Sequence, residues 1–399
     1  MKNIKIYFII IIFLNMAFTG FAWAVEDTVA NEDTITSESF VVERLDELNI
    51  GNLQEIADSI NDDLDGYIHK IDIKTFITKL FKGEGVITPQ DITKGTMKYF
   101  FKEVIANWKI LGQIIVLASI YAILVNLQSA FENDVVGKLA YNVCYMVIIS
   151  VAVKSFTIAI NLGKNTIDTM TAFMQALLPI LLGILIAMGG ITTSAFFHPV
   201  LLGSIGFIGT IIKSVVLPLI FFSAVLAVVN NLSSKVQIIK LSGLLKQSAI
   251  VILGFILTVF VGIISIHGIT TSTADGVTIR TAKFAAERFI PIAGKFLSDA
   301  MDTIIGYSLL LKNSIGVMGL IIIFMICLAP MIKIIALIAI YKLSSAIVEP
   351  IAQSRLADCL NHMGNSLILI LATVSSVAIM FFITITVIVG AGNITMMMR

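Results

Sequence analysis

Seven apolar stretches, each long enough to cross a bilayer, leave this chain few ways to fold. They lie near 110–129, 141–162, 172–191, 199–230, 248–268, 314–341 and 366–390, and a spanning helix takes about 20 such residues. Hydrocarbon offers backbone N–H and C=O groups no partners, so these stretches must satisfy them internally, as α-helices. Composition agrees: 57% of the 399 residues are hydrophobic and 13% charged, with a mean hydropathy of +0.97, where a soluble domain carries about 25% charged residues. That excludes a cytosolic enzyme and most nucleic-acid binders. The fold class expected is all-α, a polytopic helical membrane protein. Two stretches, 199–230 and 314–341, are 32 and 28 residues long and contain Pro218 and Pro330. Each is either one kinked helix or a pair of shorter segments.

The chain opens differently. Lys2 and Lys5 precede an apolar run over 6–14, and Ala22-Trp23-Ala24 supplies small residues for cleavage. This order predicts a signal peptide over 1–24, with an uncleaved anchor helix as the alternative. Cleavage after Ala24 places the new amino terminus across the membrane from the cytoplasm. Residues 25–109 then hold 17 of the 26 acidic residues, so the net charge of +1 averages two unlike parts. Residues 26–40 read as a disordered acidic leader. From Val41 onward, Leu45, Leu48, Leu53, Ile56, Ile60, Leu64, Ile68 and Ile71 recur at helical steps. Thr88-Pro89-Gln90-Asp91 has the form of a helix start. Residues 25–109 are thus expected to form a small extracytoplasmic α-helical domain, whose basic half meets lipid headgroups. Two membrane helices follow over 110–163.

The loop at 231–247 carries Lys235, Lys240 and Lys246 without an acid, which predicts a cytoplasmic position. From an outside amino terminus, that position requires 199–230 to be a hairpin; a single helix there puts the lysines outside. The sequence leaves this open.

An internal duplication is visible in spacing. Pro179 and Pro291 are 112 residues apart, as are Pro218 and Pro330. Ser204-Ile205-Gly206 matches Ser314-Ile315-Gly316, and Leu232-Ser233-Ser234 matches Leu343-Ser344-Ser345, in the same order. Two membrane repeats are expected, 164–268 and 277–391; chance likeness of apolar segments is the competing explanation. Broken helices in repeated units are typical of transporters. Pro179, Gly189, Gly190, Pro218 and Pro330 are the candidate hinges, although paired glycines also serve tight helix packing.

The copies differ in polarity. Where the first is wholly apolar after Pro179, the second carries Arg288, Pro291, Gly294, Lys295, Asp299 and Asp302. Charges at membrane depth mark a wetted route, so this element, within 284–308, is the candidate path or gate, either re-entrant or an amphipathic helix in the interface. Lys295 and Asp299 are spaced to pair on one helix face.

Residues that could carry chemistry are sparse. The sequence contains neither H-E-x-x-H nor G-x-S-x-G, and Gly294-Lys295 lacks the earlier glycine of a phosphate loop. His69, His198, His267 and His362 are isolated. Cys144, Cys327 and Cys359 do not make a disulfide framework or a zinc spacing. No enzymatic activity, metal or cofactor is expected. Lys154 and Lys213, in or between apolar stretches, are read as snorkelling or marking helix ends.

Three segments resemble the stage III sporulation protein AE family: the run DGVTIRTAKFAAERFIPIAGKFLSDAMDTIIGYSLLLKNSIGVMG from Asp275, residues 176–202, and residues 355–371. The resemblance implies a role in endospore formation. It implies a place in the mother-cell membrane around the engulfed forespore, within a channel or secretion-like complex joining the two cells. The partners it implies are the other stage III sporulation A operon proteins (an ATPase, small membrane subunits, ring-forming proteins) and stage II sporulation protein Q across the intermembrane space. Membrane lipid is a further partner, and nucleic acid is not expected. The family brings no catalytic residues. The competing functions are an autonomous small-molecule permease and a scaffold for other subunits.

Overall fold

Helix runs through nearly every described residue of the computed structural model, as lipid-facing backbone requires. The structure describes residues 51–64, 67, 72–81, 89–129, 134–230, 238–289, 293–351 and 354–397. The expected signal peptide (1–24), the acidic leader and Pro291 lie outside them. In chain order the helices are α1 (Gly51–Asp63), α2 (Ile73–Phe81), α3 (Pro89–Ala106), α4 (Trp108–Ser129), α5 (Asp134–Ala187), α6 (Ile191–Ile211), α7 (Leu217–Asn230), α8 (Ile239–Phe289), α9 (Ala293–Val348) and α10 (Ser354–Met397). A π-helical segment, Ile212–Val216, joins α6 to α7.

Six helices among the described residues, not seven, are long and apolar enough to cross a membrane: Thr93–Ile123, Tyr145–Ala187, Ile191–Asn230, Ile239–Ser265, Ser298–Val348 and Leu356–Asn393. The difference lies at 161–171, where polar residues between two apolar stretches suggested a loop. Helix α5 continues through them. Asn161, Asn165 and Asp168 recur at helical steps, and the Thr166, Thr169 and Thr171 hydroxyls donate to carbonyls four residues back, so these polar side chains ride on the helix without ending it. The segments 199–230 and 314–341 are each part of one continuous rod. Pro218 has no N–H and crowds the carbonyl four residues earlier. The backbone widens just before it, and the Leu217 N–H reaches Ile212 O, five residues back.

The core is built around α10, in which every residue from Ser366 to Phe382 is buried. A helix apolar all round must be enclosed by others, and α9, α8, α5 and α7 enclose it. Its buried Thr373, Ser375, Ser376 and Thr384 hydroxyls are satisfied by carbonyls of their own helix. Helices α5, α8, α9 and α10 hold 54, 51, 56 and 44 residues. At about 1.5 Å per residue, each exceeds twice the roughly 30 Å of hydrocarbon. Their polar ends therefore project from it.

The amino-terminal helices share this core. Leu53, Ala57, Ile73, Phe76, Ile77 and Tyr99 join the same apolar cluster, with α1 against α5, and α2 and α3 against α9. Lys98 and Lys102 stand over the Tyr67 ring at 5.5 and 4.8 Å, a protein contact where headgroups alone were expected. Asp72 starts α2 by accepting the Thr75 N–H at 2.8 Å. Hydrogen bonds from the Thr75 side chain and amide hold its carboxyl below the usual carboxylate range. A depressed pKa adds stability above the unfolded value of about 3.9 that disappears as pH falls through the folded one. Asp72→Ala should cost α2 about 1 kcal/mol at neutral pH. Amide exchange over Ile73–Phe81 should be faster in the variant at pH 7 and converge with the parent in acid.

Candidate functional site

The described residues of the polar element expected to line a path lie at the end of α8 and the start of α9. Helix α8 ends at Phe289 and α9 begins at Ala293, so the described residues of 284–308 are the end of one long helix and the start of the next. Arg288, Lys295, Asp299 and Asp302 are exposed, and Gly294 lies in the first turn of α9. Lys295 and Asp299 are spaced so that they could pair on one helix face; among the described residues, an ion pair joins Lys283 of α8 to Asp302 of α9. The pair bridges two helices across 19 residues and ties the end of α8 to the start of α9. Asp302 precedes Ser314, where the apolar run of α9 begins, by twelve residues, about 18 Å of helix.

Of the candidate hinges, Pro179, Pro218 and Pro330 lie inside α5, α7 and α9. Gly189 and Gly190 form the α5–α6 corner. Gly189 has φ +91°, a conformation that costs other residues about 1–2 kcal/mol. A side chain there would also sit 2.8 Å from Ile279. The corner is closed by a residue the sequence reading did not single out. Asp275 of α8, 1% exposed, accepts the Thr192 and Thr193 N–H groups at 2.9 and 2.8 Å. Those are two of the amides that the start of α6 leaves without helical partners, and a carboxylate at a helix N-terminus also meets its positive dipole end.

Two other corners are tied by hydrogen-bonded polar side chains. Asn230 Oδ1 accepts the Ile238 and Ile239 N–H groups at 2.9 and 3.1 Å, linking α7 to α8. Between α9 and α10, Lys342 Nζ donates to Asn361 and Asn365 Oδ1 at 2.5 and 2.7 Å, and Ser345 Oγ donates to Ala357 O at 2.8 Å.

A second lysine is enclosed further along the same helix pair. Lys312 is 0% exposed; its Nζ donates to Val389 O at 2.7 Å and to Asn393 Oδ1 at 3.3 Å. Gly392 makes room for it, since a Cβ there would lie 1.9 Å from Nζ. Lys213, in the π-helical segment, pairs with Asp168 of α5, so its ammonium has a fixed partner where snorkelling was expected. Lys154 is exposed.

Among the described residues, no group of three or more His, Cys, Asp and Glu is placed to hold a metal ion. The arrangement supplies charged and amide groups at helix ends, corners and one lateral face, around an apolar body. These features define an integral membrane protein of the all-helical class.

Comparison narrows the class. A family model described as Stage III sporulation protein AE matches residues 71–392. Stage III sporulation protein AE of Bacillus subtilis (strain 168) is 42% identical over 326 residues, covering 82% of this chain and 82% of its own length. The chain belongs to the stage III sporulation protein AE family, which gives it a role in sporulation. No solved structure matches it.

Proposed function

We propose that this chain is a non-enzymatic membrane subunit of the channel or secretion-like complex that joins mother cell and forespore during endospore development. The observation that carries the reading is the reach of the family match, which runs from residue 71 to 392 and so takes in the whole membrane body, α4 to α10. Its partners in this reading are the ATPase, small membrane subunits and ring-forming proteins of the stage III sporulation A operon, with stage II sporulation protein Q across the intermembrane space.

Topology supports a consistent sidedness. From an amino terminus outside the cytoplasm, three crossings (Thr93–Ile123, Tyr145–Ala187 and Ile191–Asn230) bring the chain inside at 231–247. The lysine-rich loop thereby gains the cytoplasmic position its charge calls for, without a hairpin in 199–230. The end of α8 and the start of α9 then face the intermembrane space, where Lys295, Asp299 and Asp302 form the mouth of the path. The rod from Ile191 followed by α8, and α9 followed by α10, run in the same order and direction, which supports a parallel duplication.

Two measurements test this. The tagged chain, solubilised from sporulating cells, should co-purify with the operon ATPase and small membrane subunits. Recovery of the folded chain alone sinks the subunit reading, and solute movement by the pure chain in liposomes turns it into a permease. The mouth is tested by Asp302→Lys. With side chains 14% and 46% exposed, the pair still reaches solvent through Asp302 and is worth about 1 kcal/mol, so the variant should accumulate yet lower spore yield. Exchanging the two charges, with Lys283→Asp added, should restore it.

A further inference from the structure

Where α8, α9 and α10 reach the cytoplasm on the proposed sidedness, hydrogen-bond donors outnumber acceptors. Lys342 of α9 lies along α10: a Cβ on Gly364 would fall 3.2 Å from its Cε, so the glycine gives the stem its track. Its Nζ donates to the Asn361 and Asn365 Oδ1 atoms, one turn apart on α10. With both amide oxygens turned to the ammonium, each Nδ2 group is left as a donor, and neither has an acceptor among the described residues. His362, between the two asparagines in sequence, lies within electrostatic reach of Lys342, of Lys246 of α8 and of Asp358. Two ammonium groups thus meet one carboxylate. Lys246, Lys342, Asn361, His362 and Asn365 are all half-buried, so the cluster opens outward and is not sealed in the core.

The cluster sits where charge gives way to hydrocarbon. Lys246 is the last charged residue of α8 before Asp275, and after Asp358 helix α10 carries no charge to its end at Met397. Lys342 bonds to α10 within two turns of Asp358, so the three charges share the level of the inner headgroup layer. Towards the bilayer centre, the same side of α9 is apolar and half-buried: Ile335, Ile338 and Ala339 lie seven, four and three residues before Lys342, on one helix face. Ile250, one turn past Lys246 on α8, is exposed. A donor-rich head above an apolar track complements a phospholipid, with its phosphate outermost and its acyl chains below. A soluble anion would gain nothing from the apolar side of α9.

We infer that Lys246, Lys342, His362, Asn361 and Asn365 hold the phosphate of an anionic phospholipid of the cytoplasmic leaflet, whose acyl chains run along α9 beside Ile335 and Ile338. The site goes beyond the transport reading and does not depend on it. Lysine binds phosphate as a point charge, and the two amide NH2 groups add directed donors. The neutral partners of Lys342 serve this purpose: amide oxygens satisfy its hydrogens without cancelling its charge, as a carboxylate at either position would. An anionic lipid brings the net negative charge that offsets the second ammonium, and a zwitterionic lipid does not.

The full chain, purified in neutral detergent and stripped of lipid, should bind dioleoylphosphatidylglycerol at least about tenfold more tightly than dioleoylphosphatidylcholine in native mass spectrometry. Lys342→Met and Lys246→Gln should each weaken phosphatidylglycerol about fivefold and leave phosphatidylcholine unchanged. Lys240→Gln, at the same end of α8 but outside the cluster, should change neither. Lys246→Gln keeps the bonds of Lys342 to Asn361 and Asn365, so it decides the matter if Lys342→Met fails to fold. Equal affinities of the parent for the two lipids overturn the site. So does a loss at Lys240→Gln equal to that at Lys246→Gln, which is the mark of diffuse headgroup attraction. Glycerol 3-phosphate bound as tightly as phosphatidylglycerol overturns the lipid assignment in favour of a soluble phosphate. Each of these failures leaves the subunit reading standing, since that is decided by co-purification.

Discussion

Replacing Asp275 with alanine should destabilise the membrane body by about 2–6 kcal/mol, one to three for each of the two amides left without a partner. Thr193 is buried, so water cannot replace the lost carboxylate without opening the corner. The cost should appear as a lower midpoint of thermal unfolding in detergent and as faster exchange of the Thr192 and Thr193 amides. Asp275→Asn is the informative control. It keeps one acceptor oxygen for one amide and turns an NH2 group towards the other, so it should lose at least half as much. Gly189→Ala should add its own penalty at the same corner, from the left-handed φ and from the 2.8 Å approach to Ile279. A melting midpoint for Asp275→Ala equal to that of the parent would show that the corner is held by helix packing alone.

Asp275 also illustrates how far the sequence reaches. Apolar runs, charge partition and the Pro89 helix start are local patterns, and each announces a helix or its end. Asp275 and Thr192 are 83 residues apart, and Asp168 and Lys213 are 45 apart. No periodicity connects such pairs, so each acid looks like part of a loop between spans. The stretch around Asp168 nevertheless carried a usable signal: its polar residues recur at helical steps, which marks the face of a continuing helix more than a turn. The polar cluster at 288–302 was visible as a break in apolarity. Its depth was not, because depth depends on how far α8 and α9 run beyond the bilayer, and composition does not set that length. The sense of the Gly189–Gly190 pair was open for a related reason. Two adjacent glycines permit a hinge or a tight corner, and it is Asp275 and Ile279, distant in sequence, that close this one.

Lys312 should show the opposite behaviour to Asp275: deleting its charge is expected to be harmless to folding. Its ammonium is fully buried and its partners, Val389 O and Asn393 Oδ1, are neutral, so the full cost of desolvating a cation is met without an anion to offset it. Methionine has a similar length and flexibility and no charge to desolvate. Lys312→Met should therefore leave the unfolding midpoint unchanged or raise it, by an amount equivalent to about 1–4 kcal/mol at most. Gly392→Ala should do the reverse. Its Cβ would fall 1.9 Å from Nζ and 3.0 Å from Cε, pushing the ammonium off Val389 O within a fully buried site. That leaves a buried charged donor unpaired, at a cost of about 2–4 kcal/mol. The two changes must interact, because one creates the clash that the other relieves. In the Lys312→Met background the added methyl meets an apolar chain end that can turn aside, so the penalty of Gly392→Ala should shrink. A double-mutant cycle on unfolding should return a coupling of about 1–3 kcal/mol. Additive effects would mean that Gly392 serves only the close approach of α9 and α10, a role already visible at Gly316, where a Cβ would lie 2.3 Å from Val389.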